Sequence, residues 1–212
     1  MTDFAPLSTA RRWALGSGDK PPASLGRFEL KKQLGRGAQA TVWLALDPRL
    51  QREVAIKLMR PMQDLDPSVL EQWLREARHV GRLAHPYIVP VFEADVQGAE
   101  PYIVFEYVEG LDVSDLIDAE ALSLDDAVRI VREAAEGLAH LHKHGVYHQD
   151  VKPSNLLWTD KGVRIIDFNV AVSENDEVQG GGGTRRYLPP DYDYSSEPDA
   201  SDRMDRDLYA LG

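Results

Sequence analysis

Apolar and polar positions alternate in short runs from Arg27 to Met59, at 28–30, 41–46 and 54–58. That is the period of half-buried strands. Asp47-Pro48 supplies the turn between the second and third. Three strands with short connections predict an antiparallel meander and not a βαβ unit. The period then changes. Val69, Leu70, Trp73, Leu74, Ala77, Val80 and Leu83 recur at three- and four-residue steps, predicting a helix over 67–83. Asp66 is its expected N-cap, with Pro67 at the first helical position.

Two strand candidates follow, at 88–93 and 102–107. A second helix is expected over 123–142, with Ser123 as its cap and Asp126 completing a Ser-x-x-Asp start. Segments 156–158 and 163–166 read as a hairpin around Asp160-Lys161-Gly162. Beyond Asp167 the regularity gives way to an acidic, glycine-rich stretch. Strands dominate first and helices second, which predicts an α+β fold of two lobes. Residues 1–26, with Pro6, Pro21, Pro22, Gly16, Gly18 and Gly26, are expected to form a flexible N-terminal segment.

Composition narrows the function classes. Of 212 residues, 43% are hydrophobic and 28% charged, as in folded globular chains. Cysteine is absent, which excludes a disulfide scaffold, a zinc ribbon and a thiol nucleophile. A net charge of −11 argues against a partner that is nucleic acid. Residues 1–60 nevertheless hold 11 basic and 5 acidic side chains, so the acidity belongs to the remainder. No run approaches the roughly 18 apolar residues of a membrane span. A cytoplasmic protein without a membrane segment is the expectation.

The candidate chemistry begins at Leu34-Gly35-Arg36-Gly37-Ala38-Gln39-Ala40-Thr41-Val42. A Rossmann loop would run from a strand into a helix, and here both flanks are strand-like. A Walker loop needs Gly-Lys-Ser/Thr, which is missing. A hairpin tip whose N–H groups close over nucleotide phosphates fits better. In Val54-Ala55-Ile56-Lys57, a lysine inside an apolar strand is costly to bury unless it meets an anion. Glu76, beside the apolar face of the first helix, is a candidate partner. His140 and His144, four residues apart, suit either a metal pair or a helix end rich in histidine.

His148-Gln149-Asp150-Val151-Lys152-Pro153-Ser154-Asn155 is followed, twelve residues after Asn155, by Asp167-Phe168-Asn169. Glycine loop, Val-Ala-Ile-Lys, helix glutamate, His-x-Asp-x-Lys-Pro-x-Asn and Asp-Phe-x, in this order, resemble the eukaryotic-type (Hanks-type) serine/threonine protein kinases. The resemblance runs from about Arg27 to the last residue. It implies a protein-kinase-like two-lobe fold, with a β-rich N-lobe carrying one long helix and a mainly helical C-lobe. It also implies ATP and Mg²⁺ as cofactors and a protein substrate with a Ser or Thr acceptor.

By that resemblance, Leu34, Gly35, Gly37 and Val42 cover the ATP phosphates, and Lys57, oriented by Glu76, contacts the α and β phosphates. Asp150 is implied as the base for the substrate hydroxyl, with Lys152 marking a Ser/Thr-type enzyme, and Asn155 and Asp167 as the Mg²⁺ ligands. Phe105 is implied as gatekeeper of a hinge strand whose backbone at Glu106 and Val108 reads adenine. Val42, Ala55 and Leu157 would sandwich the ring, and Glu109-Gly110 would lead into a further helix. The stretch from Gly183 to Asp191 resembles the end of an activation segment. Asp207 resembles the helix-start aspartate that holds the backbone around His148.

Three departures stand out: Ala40 for the third glycine, Gln149 for an arginine, and Asn169 for the glycine after Asp167-Phe168. Gln149 implies a loop that orders without a phosphate. Gly180 to Gly183 reads as a hinge more than a second phosphate loop. The expected domains are a segment at 1–26, an N-lobe and hinge strand at 27–107, and a partial C-lobe at 108–212, incomplete beyond the helix that Asp207 is expected to begin. The alternatives are a pseudokinase or ATP-binding regulatory module, or an inactive fragment.

Overall fold

The computed structural model describes residues 24–37, 40–61, 67–167, 185–190 and 198–212. The expectations placed on residues 1–23, Asp66, Phe168, Asn169, Gly180–Gly183, Thr184 and Asp191 lie outside the described residues. The chain divides into two compact units, one built from the described part of 1–65 with Val91–Tyr107, the other from the described residues of 66–90 and 108–212.

In the first unit, β1 (Ser24–Leu25), β2 (Phe28–Arg36), β3 (Ala40–Asp47), β4 (Arg52–Met59), β5 (Val91–Gln97) and β6 (Glu100–Glu106) form one antiparallel sheet in the order β1-β2-β3-β4-β6-β5. The meander of three strands is therefore present, each longer than its apolar core. Alternation explains the sheet's two faces. Phe28, Leu30, Trp43, Ala45, Val54, Ile56, Tyr102 and Val104 point one way and form a buried cluster. Burial of each large side chain contributes about 1.5–3 kcal/mol. Asp47, buried at the end of β3, shapes the turn by accepting the N–H groups of Arg49 at 2.9 Å and Leu50 at 3.3 Å.

The second unit holds α1 (Pro67–Val80), β7 (Leu111–Asp112), α2 (Val113–Asp118), α3 (Leu124–Lys143), β8 (Leu156–Thr159), β9 (Gly162–Ile165) and α4 (Ala200–Leu211). Trp73, Ala77 and Val80 are the buried stripe of α1, which ends three residues before the expected Leu83. Ser123 caps α3 by accepting the Asp126 N–H at 3.1 Å. The helix expected after Gly110 is α2, capped by Asp112, whose side chain accepts the Ser114 N–H at 2.7 Å.

Two expectations need correction. The strand expected from Ile88 begins only at Val91. Pro90 has no N–H to donate, and the preceding residues pair elsewhere: Val89 N–H donates to Ile165 O at 3.0 Å and Ile165 N–H to Tyr87 O at 2.8 Å. Asp207 does not begin a helix either. The helix α4 starts seven residues earlier, because Asp199 and Asp202 form a reciprocal capping box there. Asp207 lies inside the helix and is fully buried.

Candidate active site

In the first unit the sheet register lines up the residues proposed to meet nucleotide. Gly35 stands opposite Val42, Val42 opposite Lys57, and Lys57 opposite Ile103. In the next row on the same face, Leu44 is opposite Ala55 and Ala55 opposite Phe105. Side chains alternate along a strand, so Val42, Ala55, Lys57 and Phe105 share the face opposite to the buried cluster. Phe105 is buried, while Val42, Ala55, Lys57 and Glu106 are partly exposed. Leu34 and Gly35 lie in β2, which runs through Arg36, and the Gly37 N–H closes on Ala40 O at 2.8 Å. Ala40 opens β3.

In the second unit, the segment from His148 to Asn155 is held by α4 and by the residue that follows β9. From α4, the Asp207 carboxylate accepts the His148 N–H at 2.8 Å and the Gln149 N–H at 2.6 Å. Its Oδ2 also lies 2.9 Å from His142 Nε2 on α3. Just after β9, Ile166 O lies 2.9 Å from Nε2 of the buried His148, whose Nδ1 accepts the Asp150 N–H at 3.3 Å. An accepting Nδ1 assigns the ring proton to Nε2, so His148 is a neutral donor to Ile166. Within the segment, a short 3-10 turn at Pro153–Asn155 closes with Asn155 N–H on Lys152 O at 2.9 Å.

These restraints converge on Asp150. Lys152 Nζ donates to Asp150 Oδ2 at 2.5 Å, and Asn155 Nδ2 donates to the same oxygen at 3.2 Å and to Asp150 O at 2.8 Å. The Asp150 side chain is 19% exposed, open enough for a substrate atom to reach it. Asn155 is buried, with both contacts made through its amide nitrogen. The amide oxygen is thereby turned to the other side. Asn155 O accepts the Ile166 N–H at 3.0 Å, which brings Asp167 next to the same turn. Asp167 takes a left-handed backbone, φ +62°, as does Gln149 at φ +62°. A cavity behind the segment is lined by Gln149, Asp150, Tyr187, Leu188, Arg206 and Asp207.

The structure therefore brings together Asp150, Lys152, Asn155 and Asp167, and it groups Lys57, Val42, Ala55 and Phe105 on one sheet face. Leu157, on β8 opposite Asp112 and Arg164, and Val108, after β6, are both partly exposed. Glu76 is exposed on α1 and accepts from Gln72 Nε2 at 3.1 Å, so its own helix supplies one partner. Asp207 performs the backbone-holding role expected of it. His142 and the imidazole of His148 escaped the sequence reading, although their spacing on the end of a helix and before Asp150 was visible.

The rings of His140 and His144 lie 4.6 Å apart and are tilted by 40°, and His140 lies 4.9 Å from His85 at 31°. Nδ1 of His144 lies 2.8 Å from His140 O, so that nitrogen is turned to its own helix. No group of three or more metal-ligating His, Cys, Asp or Glu occurs among the described residues.

Comparison with known proteins identifies the family. Residues 28–212 match the protein kinase domain. Over 203 residues the chain is 36% identical to the serine/threonine-protein kinase PknB of Mycobacterium leprae, covering 91% of this chain and 32% of that protein. Over 204 residues it is 35% identical to the probable serine/threonine-protein kinase PknB of Bifidobacterium longum, covering 88% of this chain and 29% of that one. The chain thus spans about a third of the length of these curated relatives. The crystal structure of the Mycobacterium tuberculosis PknI kinase domain superposes with a TM-score of 0.69 at 26% identity, covering 93% of this chain and 74% of that chain. With the family matched over residues 28–212, an α+β fold, and a carboxylate held between a lysine and an asparagine two and five residues further on, this chain belongs to the protein kinase family.

Proposed function

We propose that this chain is the catalytic part of a protein serine/threonine kinase that transfers the γ-phosphoryl of ATP to a Ser or Thr hydroxyl of a protein. The observation that carries the reading is the convergence of Lys152 Nζ and Asn155 Nδ2 on one oxygen of the partly exposed Asp150. A carboxylate so held is oriented before substrate arrives, and orientation is most of what this reaction needs from a protein. The substrate oxygen bonds to the γ-phosphorus as the bond from that phosphorus to the bridging oxygen of ADP breaks. The hydroxyl proton passes to Asp150. Lys152 places a positive charge beside Asp150, and the Ser or Thr acceptor rests on the resemblance of its position to the Ser/Thr-type members of the family.

A divalent cation fits the donor chemistry present. Asn155 offers an amide oxygen and Asp167 a carboxylate, hard ligands of the kind Mg²⁺ accepts alongside phosphate oxygens. The nitrogen of Asn155 is already committed to Asp150, which orients the amide. When bound, Mg²⁺ would neutralise charge on the phosphates. Lys57, with Glu76 as its partner, is assigned to the α and β phosphates. Leu34, Gly35, Gly37, Val42, Ala55, Phe105, Glu106, Val108 and Leu157 are assigned to the rest of the nucleotide. Residues 27–107 and 108–212 act as N-lobe and C-lobe in this reading. No helix among the described residues is long and apolar enough to cross a membrane, and ATP as donor assigns the reaction to the cytoplasm.

The test is phosphoryl transfer from labelled ATP to a generic protein substrate. Asp150→Asn is expected to lower the rate by about 100- to 10,000-fold, the usual worth of a general base. Thermal stabilisation by Mg²⁺ and ATP should persist in that variant. Transfer at the wild-type rate would exclude Asp150 as the base.

A further inference from the structure

Helix α3 carries a glutamate that the reaction does not use. Glu133 is buried, with 3% of its side chain exposed. Its Oε2 accepts the backbone N–H of Val163, the second residue of β9, at 2.8 Å. Its Oε1 accepts Arg129 Nε at 2.7 Å, and Arg132 lies 3.9 Å away. The Arg129 guanidinium also stands over the ring of Trp158 at 5.0 Å, and Trp158 is the cross-strand partner of Val163. One turn and a glutamate thus grip both strands of the β8–β9 hairpin at its closed end.

The turn is built around this carboxylate. Gly162 has φ +117°, and a Cβ there would lie 2.3 Å from Glu133 Oε2. The carboxylate fills the space that any other residue's side chain would need. One helical turn on, a Cβ on Gly137 would lie 2.7 Å from Ile165 Cδ1, so the helix and β9 are in close approach over the whole strand. The opposite, open end of the hairpin carries Asn155 just before β8 and Asp167 just after β9, cross-linked by Ile166 N–H to Asn155 O.

We infer that Glu133 is a positioning residue for the cation pair: by fixing the closed end of the β8–β9 hairpin to α3, it sets the separation and direction of Asn155 and Asp167 at the open end. The inference rests on the assignment of those two residues as cation ligands above. Strands of four residues bonded in register behave as a stiff ribbon, so a tilt at one end is a displacement at the other. Groups that orient ligands without touching the metal commonly set affinity by about 10–100-fold.

The test uses Mn²⁺ as the probe, titrated by its paramagnetic signal into the chain with an ATP analogue that cannot be cleaved between the β and γ phosphates. Glu133→Ala is expected to weaken Mn²⁺ binding about tenfold, while adenosine, which needs no cation, binds as to wild type. Glu133→Gln keeps an acceptor for the Val163 N–H and is expected to restore most of the affinity. Arg129→Met, at a half-exposed position, loosens Glu133 without emptying the site. It is expected to weaken Mn²⁺ by a smaller factor, and it serves if the alanine variant fails to fold.

Unchanged Mn²⁺ affinity in the folded variants would overturn the inference. So would equal loss of Mn²⁺ and adenosine binding in step with the melting temperature, because that pattern is general destabilisation. The outcome is independent of turnover. A wild-type chain that transfers no phosphoryl but shows the Mn²⁺ shift refutes the proposed function and keeps the positioning role.

Discussion

Oδ1 of Asp207 accepts the backbone N–H of Gln149 at 2.6 Å, and Gln149 sits in the left-handed region at φ +62°. A glutamine there costs about 1–3 kcal/mol, which surrounding structure has to offset. The buried carboxylate supplies that offset through two charge-assisted bonds, the second to His148 N–H at 2.8 Å. The direction in which the chain leaves Gln149 decides where Asp150 points. The direction of the proposed base is thus set from α4, 58 residues further along the chain.

Asp207→Asn tests that dependence. An asparagine of the same size presents one oxygen where the aspartate presents two, so either the buried His148 N–H or the partly buried Gln149 N–H loses its acceptor. The expected cost is about 1–3 kcal/mol, read as a lower urea midpoint for the second unit. Amide exchange at His148 and Gln149 should accelerate more than in α3. Phosphoryl transfer should fall further than the loss of folded protein explains. Transfer in proportion to the folded fraction would mean that the clamp serves stability alone.

Lys152→Met separates orientation from binding. The lysine ammonium lies 2.5 Å from Asp150 Oδ2, and its removal leaves Asn155 Nδ2, at 3.2 Å, on that oxygen. The side chain is 24% exposed, so methionine is accommodated without a cavity. The expected result is a kcat reduced by about 100-fold or more, with the KM for ATP within a factor of about two. An equal change in both constants would place Lys152 in nucleotide binding and not beside the base.

The local period was enough to find most of the strands and both long helices, because alternation and three-to-four spacing are properties of neighbouring residues. Asp150, Lys152 and Asn155 were legible because the motif that carries the resemblance occupies six consecutive positions, 150–155. What escaped depends on residues far apart in the chain. Glu133 reads as one more surface charge on an amphipathic helix, and only the approach of Gly162 reveals its burial. The rings of His85 and His140 lie 4.9 Å apart although 55 positions separate them. The start of α4 was misplaced because Asp199 and Asp207 are the same residue type, and the capping box that distinguishes them is a matter of backbone bonds.

Tyr102 makes the first unit sensitive to base. Its hydroxyl lies within a network in which Arg27 bonds Asp47 and Glu93, and it donates to Glu93 at 3.4 Å. Burial first, and the negative charges of Glu93 and Asp95 next, push its pKa up to about 12. The unfolded chain releases this proton near pH 10, while the folded sheet retains it. Stability is therefore complete below about pH 10 and declines as pH rises from there toward 12. Absorbance of tyrosinate should show one late-titrating residue that Tyr102→Phe removes. The phenylalanine variant should also lose less stability between pH 9 and 11; equal loss would clear Tyr102 of the effect.

His85 gives the second unit the opposite sensitivity. Its ring lies 4.9 Å from that of His140, tilted by 31°, and meets the edge of Tyr87 at 5.4 Å, while His140 lies 4.6 Å from His144. Burial, followed by the neighbouring His140, holds His85 below the ordinary histidine value, against a weaker pull from Glu136 in the other direction. Below about pH 6.5 the unfolded chain binds this proton and the folded one resists it. Stability is thus complete above that value and is lost as pH falls toward the lowered pKa. Residues 87 and 89, in the same loop, bond Ile165 of β9. Urea midpoints at pH 7.5 and 5.5 should differ less in His85→Phe, which keeps an aromatic ring in the stack, than in the wild type. Equal differences would show that another group titrates, and transfer activity across the same interval would then owe nothing to this stack.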